Sequence, residues 1–217
     1  MAKARNPQRT INIDPLFRVE LISATSNPQQ SVYAGMHQDY SEGFVADRRE
    51  SWPDETESGS ICVKRLLNGE RGHYGPLEHA QIVLNVGWFP HSVMQQARTH
   101  RIGVSFDVQS LRYTGKRICR AVDLNTVKAM EEVFYLRPVG TYVDRQGKHY
   151  EYTQNHRDAD LDYCAASAWR YKKLVEEKGF AEEHARGIIS FDIRQHFVVS
   201  FTLRALMHFL DLRAKAD

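Results

Sequence analysis

Between Gln95 and Gly115 the chain reads QQARTHRIGVSFDVQSLRYTG, and chemically capable residue types crowd together there. Arg98, His100, Arg101 and Arg112 fall within fifteen residues, among the neutral hydrogen-bonding groups Gln95, Gln96, Ser105, Gln109 and Ser110. Ala97, Ile102, Val104, Phe106, Val108 and Leu111 thread through the same stretch, so it is not a fully solvated run of charge. Its one carboxylate is Asp107. Partly burying several cations without counter-ions is costly. The composition therefore calls for an anionic ligand, and the guanidinium fork pairs bidentately with phosphate or carboxylate. Nucleic acid and phosphorylated metabolites are the two candidates, and an ordinary surface salt-bridge network is the plain alternative.

A second cluster sits in GHYGPLEH, where His73, Glu78 and His79 surround the mouth of an apolar run. Their spacing matches no standard zinc signature, so a polar loop that contacts a ligand is expected and no metal. Cys62, Cys119 and Cys164 are scattered, form no C-x-x-C pair and have no neighbouring His. No thiol nucleophile is expected, and a reducing, cytoplasmic compartment follows from this cysteine usage. Ser110 has no identifiable base partner and reads as a phosphate ligand.

The 217 residues, 42% hydrophobic and 26% charged, suit one globular domain over 14–217 behind a flexible tail at 1–13. A net charge of +2 gives too weak a field for a general nucleic-acid binder, so the arginines mark a defined site. No apolar run reaches membrane-spanning length, and the basic N-terminus has no apolar core behind it.

The elements that must position these groups follow from periodicity. Phe17, Val19 and Leu21 alternate as in a strand, and Pro28 opens a short helix. A helix is possible from Pro53, and another short helical pattern runs from Ile61 to Leu67. QIVLNVGWF is a strand with Ile82, Leu84, Val86 and Trp88 on one face. Pro90 begins a helix that turns Val93, Met94 and Ala97 to the core, and residues 104 to 109 are extended. Asp123 to Glu132 is helical, and TYVDRQGKHYEYT is a hairpin with tyrosines available for stacking. A helix starts at Asp158 and stops at Lys178-Gly179, and a shorter one over Phe180 to Ile189 carries Arg186. IRQHFVVSFT is a strand. The last helix, Leu203 to Arg213, buries Leu203, Leu206, Met207 and Leu210. It places Arg204, His208 and Asp211 on one other face, with Arg213 towards the core side.

The strip, the GHYGPLEH loop, the ARGII segment and LRALMHFLDLR together resemble the flavin-dependent thymidylate synthases, most closely their cyanobacterial and cyanophage branch. The family signature, Arg-His-Arg followed after seven residues by Ser-x-Arg-Tyr, is matched by Arg98-Thr99-His100-Arg101 and Ser110-Leu111-Arg112-Tyr113. This chain has an inserted Thr99 and one further residue before Ser110. It has Asp107 and Val108 where an Asn-Glu pair is usual, Thr202 and His208 where Asn is usual, and its end at Asp217 where relatives run on through another helix.

The resemblance implies a mixed α/β fold, a curved sheet flanked by helices without a Rossmann domain, and a homotetramer with active sites between subunits. It implies methylation of dUMP to dTMP, with methylenetetrahydrofolate as carbon donor and NADPH-reduced FAD as hydride source. By motif position, Glu78, Arg98, His100, Arg101, Ile102, Arg204 and His208 would line the flavin. Gln95 or Gln96, Ser110, Arg112, Arg186 and Arg213 would hold dUMP, with Arg213 stabilising charge on the pyrimidine carbonyl. Two alternatives stay open: a nucleic-acid-binding protein using the 98–117 strip, and a catalytically inactive nucleotide-binding relative.

Overall fold

The computed structural model describes residues 14–68, 72–144 and 146–214, so the tail expected over residues 1–13 lies outside the described residues. In chain order the elements are β1 (Arg18–Ala24), α1 (Pro28–Gln38), α2 (Glu55–Cys62), β2 (Gln81–Pro90), α3 (His91–Ala97) and β3 (Val104–Val108). Then come α4 (Leu111–Thr114), α5 (Lys116–Leu124), α6 (Val127–Val133), β4 (Gly140–Val143), β5 (His149–Tyr152), α7 (Gln154–Lys172), α8 (Glu182–Ala185), β6 (Arg194–Thr202) and α9 (Leu203–Ala214). The architecture is the expected mixture of helix and sheet. Four strands lie in the order β1-β2-β6-β3, and β4 and β5 form the expected hairpin. β3 runs antiparallel to β6, with Val104 opposite Phe201 and Val108 opposite Phe197.

Chain contacts divide the molecule into two compact units. One comprises Met1–Arg18, Gly87–Met94 and Gln109–His196. Its core gathers Ile118, Met130, Phe134, Ala168, Tyr171 and Ile193 from α5, α6, α7 and the segments beside them. The other comprises Val19–Val86, Gln95–Val108 and Phe197–Asp217, with a core of Val32, Met36, Cys62, Leu66, Leu77 and Ala80.

Several expectations are corrected. The helix expected from Asp158 begins at Gln154, because Thr153 caps it: the Thr153 hydroxyl accepts from the His156 amide while the His156 ring accepts from the Thr153 amide. The helix expected over Asp123 to Glu132 is two helices, broken where Asn125 takes a left-handed conformation (φ 46°). The pattern from Ile61 is the continuation of α2, whose start is capped by Asp54 accepting from the Glu57 amide. The Phe180 to Ile189 helix is reduced to α8 and a single 3-10 turn, Arg186–Ile188. In α3 Met94 is buried but Val93 is 41% exposed. In α9 Ala205 is buried, whereas Leu210 is 46% exposed and Arg213 lies in the open.

Trp88 departs most from its expected strand pattern. Its φ is 62°, so the regular alternation of β2 breaks there. The unusual backbone is held on both sides: the Trp88 amide donates to His196 Nδ1 at 3.3 Å, and the Trp88 carbonyl accepts from Arg194 at 2.8 Å.

A candidate flavin and nucleotide site

The residues that the resemblance assigns to the flavin all belong to the unit that contains β3 and α9. There, the turn Gly75–Glu78, the residues before β3 and one face of α9 enclose a cavity of about 610 Å³. Its polar groups include Glu78, Arg204, His208 and Asp211, and its apolar wall includes Leu77, Ile102 and Met207. Arg204 donates to Glu78 Oε1 at 2.6 Å, an ion pair between two half-exposed side chains. Ile102 lines this cavity and is 84% exposed. Its placement depends on Gly103, which turns the chain with φ +69° and whose carbonyl accepts from the Thr202 amide at 2.8 Å. A Cβ at Gly103 would lie 2.5 Å from the Thr202 hydroxyl oxygen, so only glycine fits there. Thr202 in turn accepts from the Ala205 amide and starts α9. The expected common face of Arg204, His208 and Asp211 is therefore present.

A second cavity in the same unit, about 490 Å³, is lined by Gln95, Arg98, Thr99, His100, Arg101 and the first residues of β3. Arg98 and Arg101 are exposed and have no ion pair among the described residues. Both nitrogens Nε and Nη2 of Arg213 donate to His100 Nε2, at 3.2 and 3.0 Å. Arginine has no acceptor, so that ring nitrogen carries the lone pair and the proton resides on Nδ1. Desolvation, then the Arg213 charge and His208, hold the His100 pKa below the ordinary histidine value. The ring also meets Phe209 edge-on at 5.0 Å.

The other unit contributes a cavity of about 370 Å³ lined by Ser110, Arg186, Gln109, His91, Gln195 and Phe191, with neighbouring apolar residues. Thus Ser110 and Arg186 are brought together within one unit. Gln96 and Arg112 line none of these three cavities, and the Arg112 guanidinium lies 5.4 Å from the Tyr113 ring centre. Residue types alone did not point to His91 or Gln195. They lie outside the matched motifs, and only the folding of β6 beside α3 pairs them, at 2.7 Å.

His73 and His79 do not form a joint site with Glu78. His73 pairs with Asp39 at 2.8 Å, and the His79 ring packs where a Cβ on Gly35 would stand. The three thiols are free and buried. Burial pushes the Cys119 thiol up to about 11, helped by Glu176, and raises Cys62 and Cys164 as well.

Residues 20–217 match the family described as thymidylate synthase complementing protein. The chain is 32% identical to a flavin-dependent thymidylate synthase of Haloarcula marismortui, over 92% of this chain and 83% of the relative. It is 29% identical to the protein of that name from Halobacterium salinarum, over 93% and 84%. Among solved structures, the fold is similar to the flavin-dependent thymidylate synthase ThyX of Helicobacter pylori complexed with FAD and dUMP (TM-score 0.64, 16% identity, 90% and 84% covered). It is also similar to the UMP/dUMP methylase PolB of Streptomyces cacaoi (TM-score 0.61, 18% identity, 90% and 77% covered).

Proposed function

The chain belongs to the flavin-dependent thymidylate synthases, and we propose that it methylates dUMP with methylenetetrahydrofolate as carbon donor and NADPH as the reductant of its FAD. The observation that carries this is one unit's pairing of a largely apolar cavity with a second cavity whose arginines lack carboxylate partners among the described residues. A flat, apolar ring system with a pyrophosphate tail has that same division of character, so the residues fit FAD. Glu78, Ile102, Arg204 and His208 would border the ring, and Arg98, His100 and Arg101 the anionic part. When bound, the flavin supplies the hydride chemistry.

The residues of the chain bind and orient. Arg186 and Ser110 hold the phosphate of dUMP, as guanidinium and hydroxyl donors suit an anion. Gln95 or Gln96 and Arg112 complete the nucleotide contacts. Arg213, released from His100, meets the negative charge that develops on the pyrimidine carbonyl. None of the three cysteines acts as nucleophile: a buried thiol with a raised pKa supplies little thiolate. The assembly is a homotetramer with sites between subunits, working in a reducing, cytoplasmic compartment.

The test is direct. Purified protein should be yellow and should convert dUMP to dTMP with folate donor and NADPH present. A variant with Cys62, Cys119 and Cys164 all changed to Ser should retain that conversion while folded. A colourless protein that gains no flavin on titration would sink the proposal, and a folded but inactive triple variant would return the chemistry to a thiol.

A further inference from the structure

Between α1 and the turn that ends α2 lies a cavity of about 370 Å³ with no role so far. All of its lining belongs to the unit that holds the flavin residues. Three flat rings border it, Tyr33, His37 and Tyr40, and the first two stack with centroids 5.2 Å apart. Tyr33 packs on the core of that unit, whereas Tyr40 is 72% exposed. The loop that follows Tyr40 is tied back by Gln38. Its side-chain oxygen accepts from the Val45 amide at 3.1 Å, and its side-chain nitrogen donates to the Gly43 carbonyl at 3.2 Å.

The helical side of the cavity is cationic. Past Cys62 the helix widens into a π turn, Val63–Leu67, closed by the Asn68 amide donating to the Val63 carbonyl at 3.0 Å. Leu66 anchors the turn in the core at 1% exposure, and Lys64 and Arg65 line the cavity. Both cations are exposed, and neither has an ion pair among the described residues. No carboxylate lines the cavity with them among the described residues. Aromatic faces beside two adjacent cations suit a planar base that carries a compact anion. A phosphate monoester brings about two negative charges and three acceptor oxygens, so it matches the pair better than a single carboxylate does. Leu67, the last residue of the same turn, lines the cavity of about 610 Å³ given above to the flavin ring. Lys64 and Leu67 are on the order of 5 Å apart along the helix axis, a span that a dinucleotide bridges.

We propose that this cavity seats the adenosine 2′-phosphate end of NADPH. Tyr33, His37 and Tyr40 offer faces to the adenine, and Lys64 and Arg65 pair with the 2′-phosphate. The site thereby distinguishes NADPH from NADH. The inference rests on the reading that NADPH reduces the bound FAD.

The experiment follows anaerobic loss of flavin absorbance in the FAD-loaded full chain, with NADPH or NADH as reductant. Saturating dUMP is present to fill the nucleotide seat. In wild type the half-saturating concentration should be about tenfold or more lower for NADPH. The double change Lys64→Gln and Arg65→Gln should remove most of that preference, with the loss falling on NADPH. The charge-keeping change Lys64→Arg and Arg65→Lys should retain it. Tyr40→Leu should weaken both coenzymes and leave their ratio. Adenosine 2′,5′-bisphosphate should inhibit wild-type reduction more strongly than adenosine 5′-monophosphate, and the two should act alike on the Gln variant. A wild-type ratio near one, or a ratio unchanged in the Gln variant, overturns the inference while NADPH still reduces the flavin. A Gln variant that loses affinity for methylenetetrahydrofolate and keeps its NADPH preference overturns it too, and gives the cavity to the folate. A bound flavin that neither nicotinamide reduces overturns the reading beneath it, and the inference with it.

Discussion

At the scale of single residues, the contact between Arg213 and His100 ties the end of α9 to the arginine-rich strip. Two hydrogen bonds from one guanidinium converge on one ring nitrogen, and the neutral ring is favoured by desolvation and then by the cation beside it. Both partners are exposed enough to exchange this contact for a ligand, which suits a residue that has to meet charge appearing only during reaction. Arg213→Ala should therefore lower turnover by about 10² or more, the range found when a donor to developing negative charge is removed. FAD retention, read by absorbance after gel filtration, should fall far less. Equal turnover in the variant would remove the role given to Arg213. The type and order of these residues were readable from the sequence, as Arg204, His208 and Asp211 show by sharing one cavity wall. Their partners were not. Nothing in the spacing of Arg213, 113 residues after His100, announces the bond. Helical periodicity even pointed Arg213 at the core, because it takes no account of where α9 runs out of neighbours.

At the scale of elements, one buried arginine ties four pieces of one unit together. Arg194, 3% exposed, donates to the Glu131 and Phe134 carbonyls at the end of α6, to the Trp88 carbonyl in β2, and to Asp14 Oδ2 at 2.6 Å. The rings of Phe17 and Tyr135 cover its guanidinium. By periodicity Arg194 is one residue of a strand and nothing more, since a pair 180 positions apart leaves no local trace. Periodicity did find β2, β3, β6, α7 and α9. It misplaced boundaries where the signal is a side-chain cap, as at Thr153, or a left-handed residue, as at Asn125. Asp14→Ala should cost about 3–5 kcal/mol in urea unfolding, because it leaves a buried guanidinium without its carboxylate. A change within about 0.5 kcal/mol would show that the pair is not buried in solution.

The same element carries a pH response. His196, in β6, accepts the Trp88 amide on Nδ1, so it is neutral, and burial followed by the nearby Arg117 lowers its pKa. A histidine whose folded pKa is depressed binds fewer protons folded than unfolded. Its stability contribution is then complete above the ordinary value of about 6.5 and declines as pH falls below it. Melting temperature should start to drop below about pH 6.5, and His196→Asn, which keeps an acceptor but cannot be protonated there, should flatten the drop. His100 contributes with the same sign, so flattening rather than abolition is the expected result. An identical slope in the variant would assign the response elsewhere.

At the scale of the whole molecule, the arginines ask for more than a single chain offers. Net charge is only +2, yet Arg98 and Arg101 lack carboxylate partners among the described residues, so the imbalance is local. A general nucleic-acid surface would instead spread its cations. The tyrosines of the β4–β5 hairpin are already engaged, with Tyr142 stacked on Tyr150 at 5.8 Å and the Arg137 guanidinium 4.9 Å from the Tyr142 ring centre. Meanwhile all seven residues of the edge strand β1 are exposed, including Val19, Leu21 and Ile22, each more than half accessible. Apolar side chains exposed together in this way favour further association. The proposed homotetramer joins these facts, since further copies would both cover apolar surface and complete the anion sites. Light scattering should then give four times the 25.1 kDa chain mass. On dilution, assembly and flavin content should decline together, because a ligand that binds only the assembled form is linked to it by mass action. A single-chain mass that still retains its flavin would show that one copy builds the whole site.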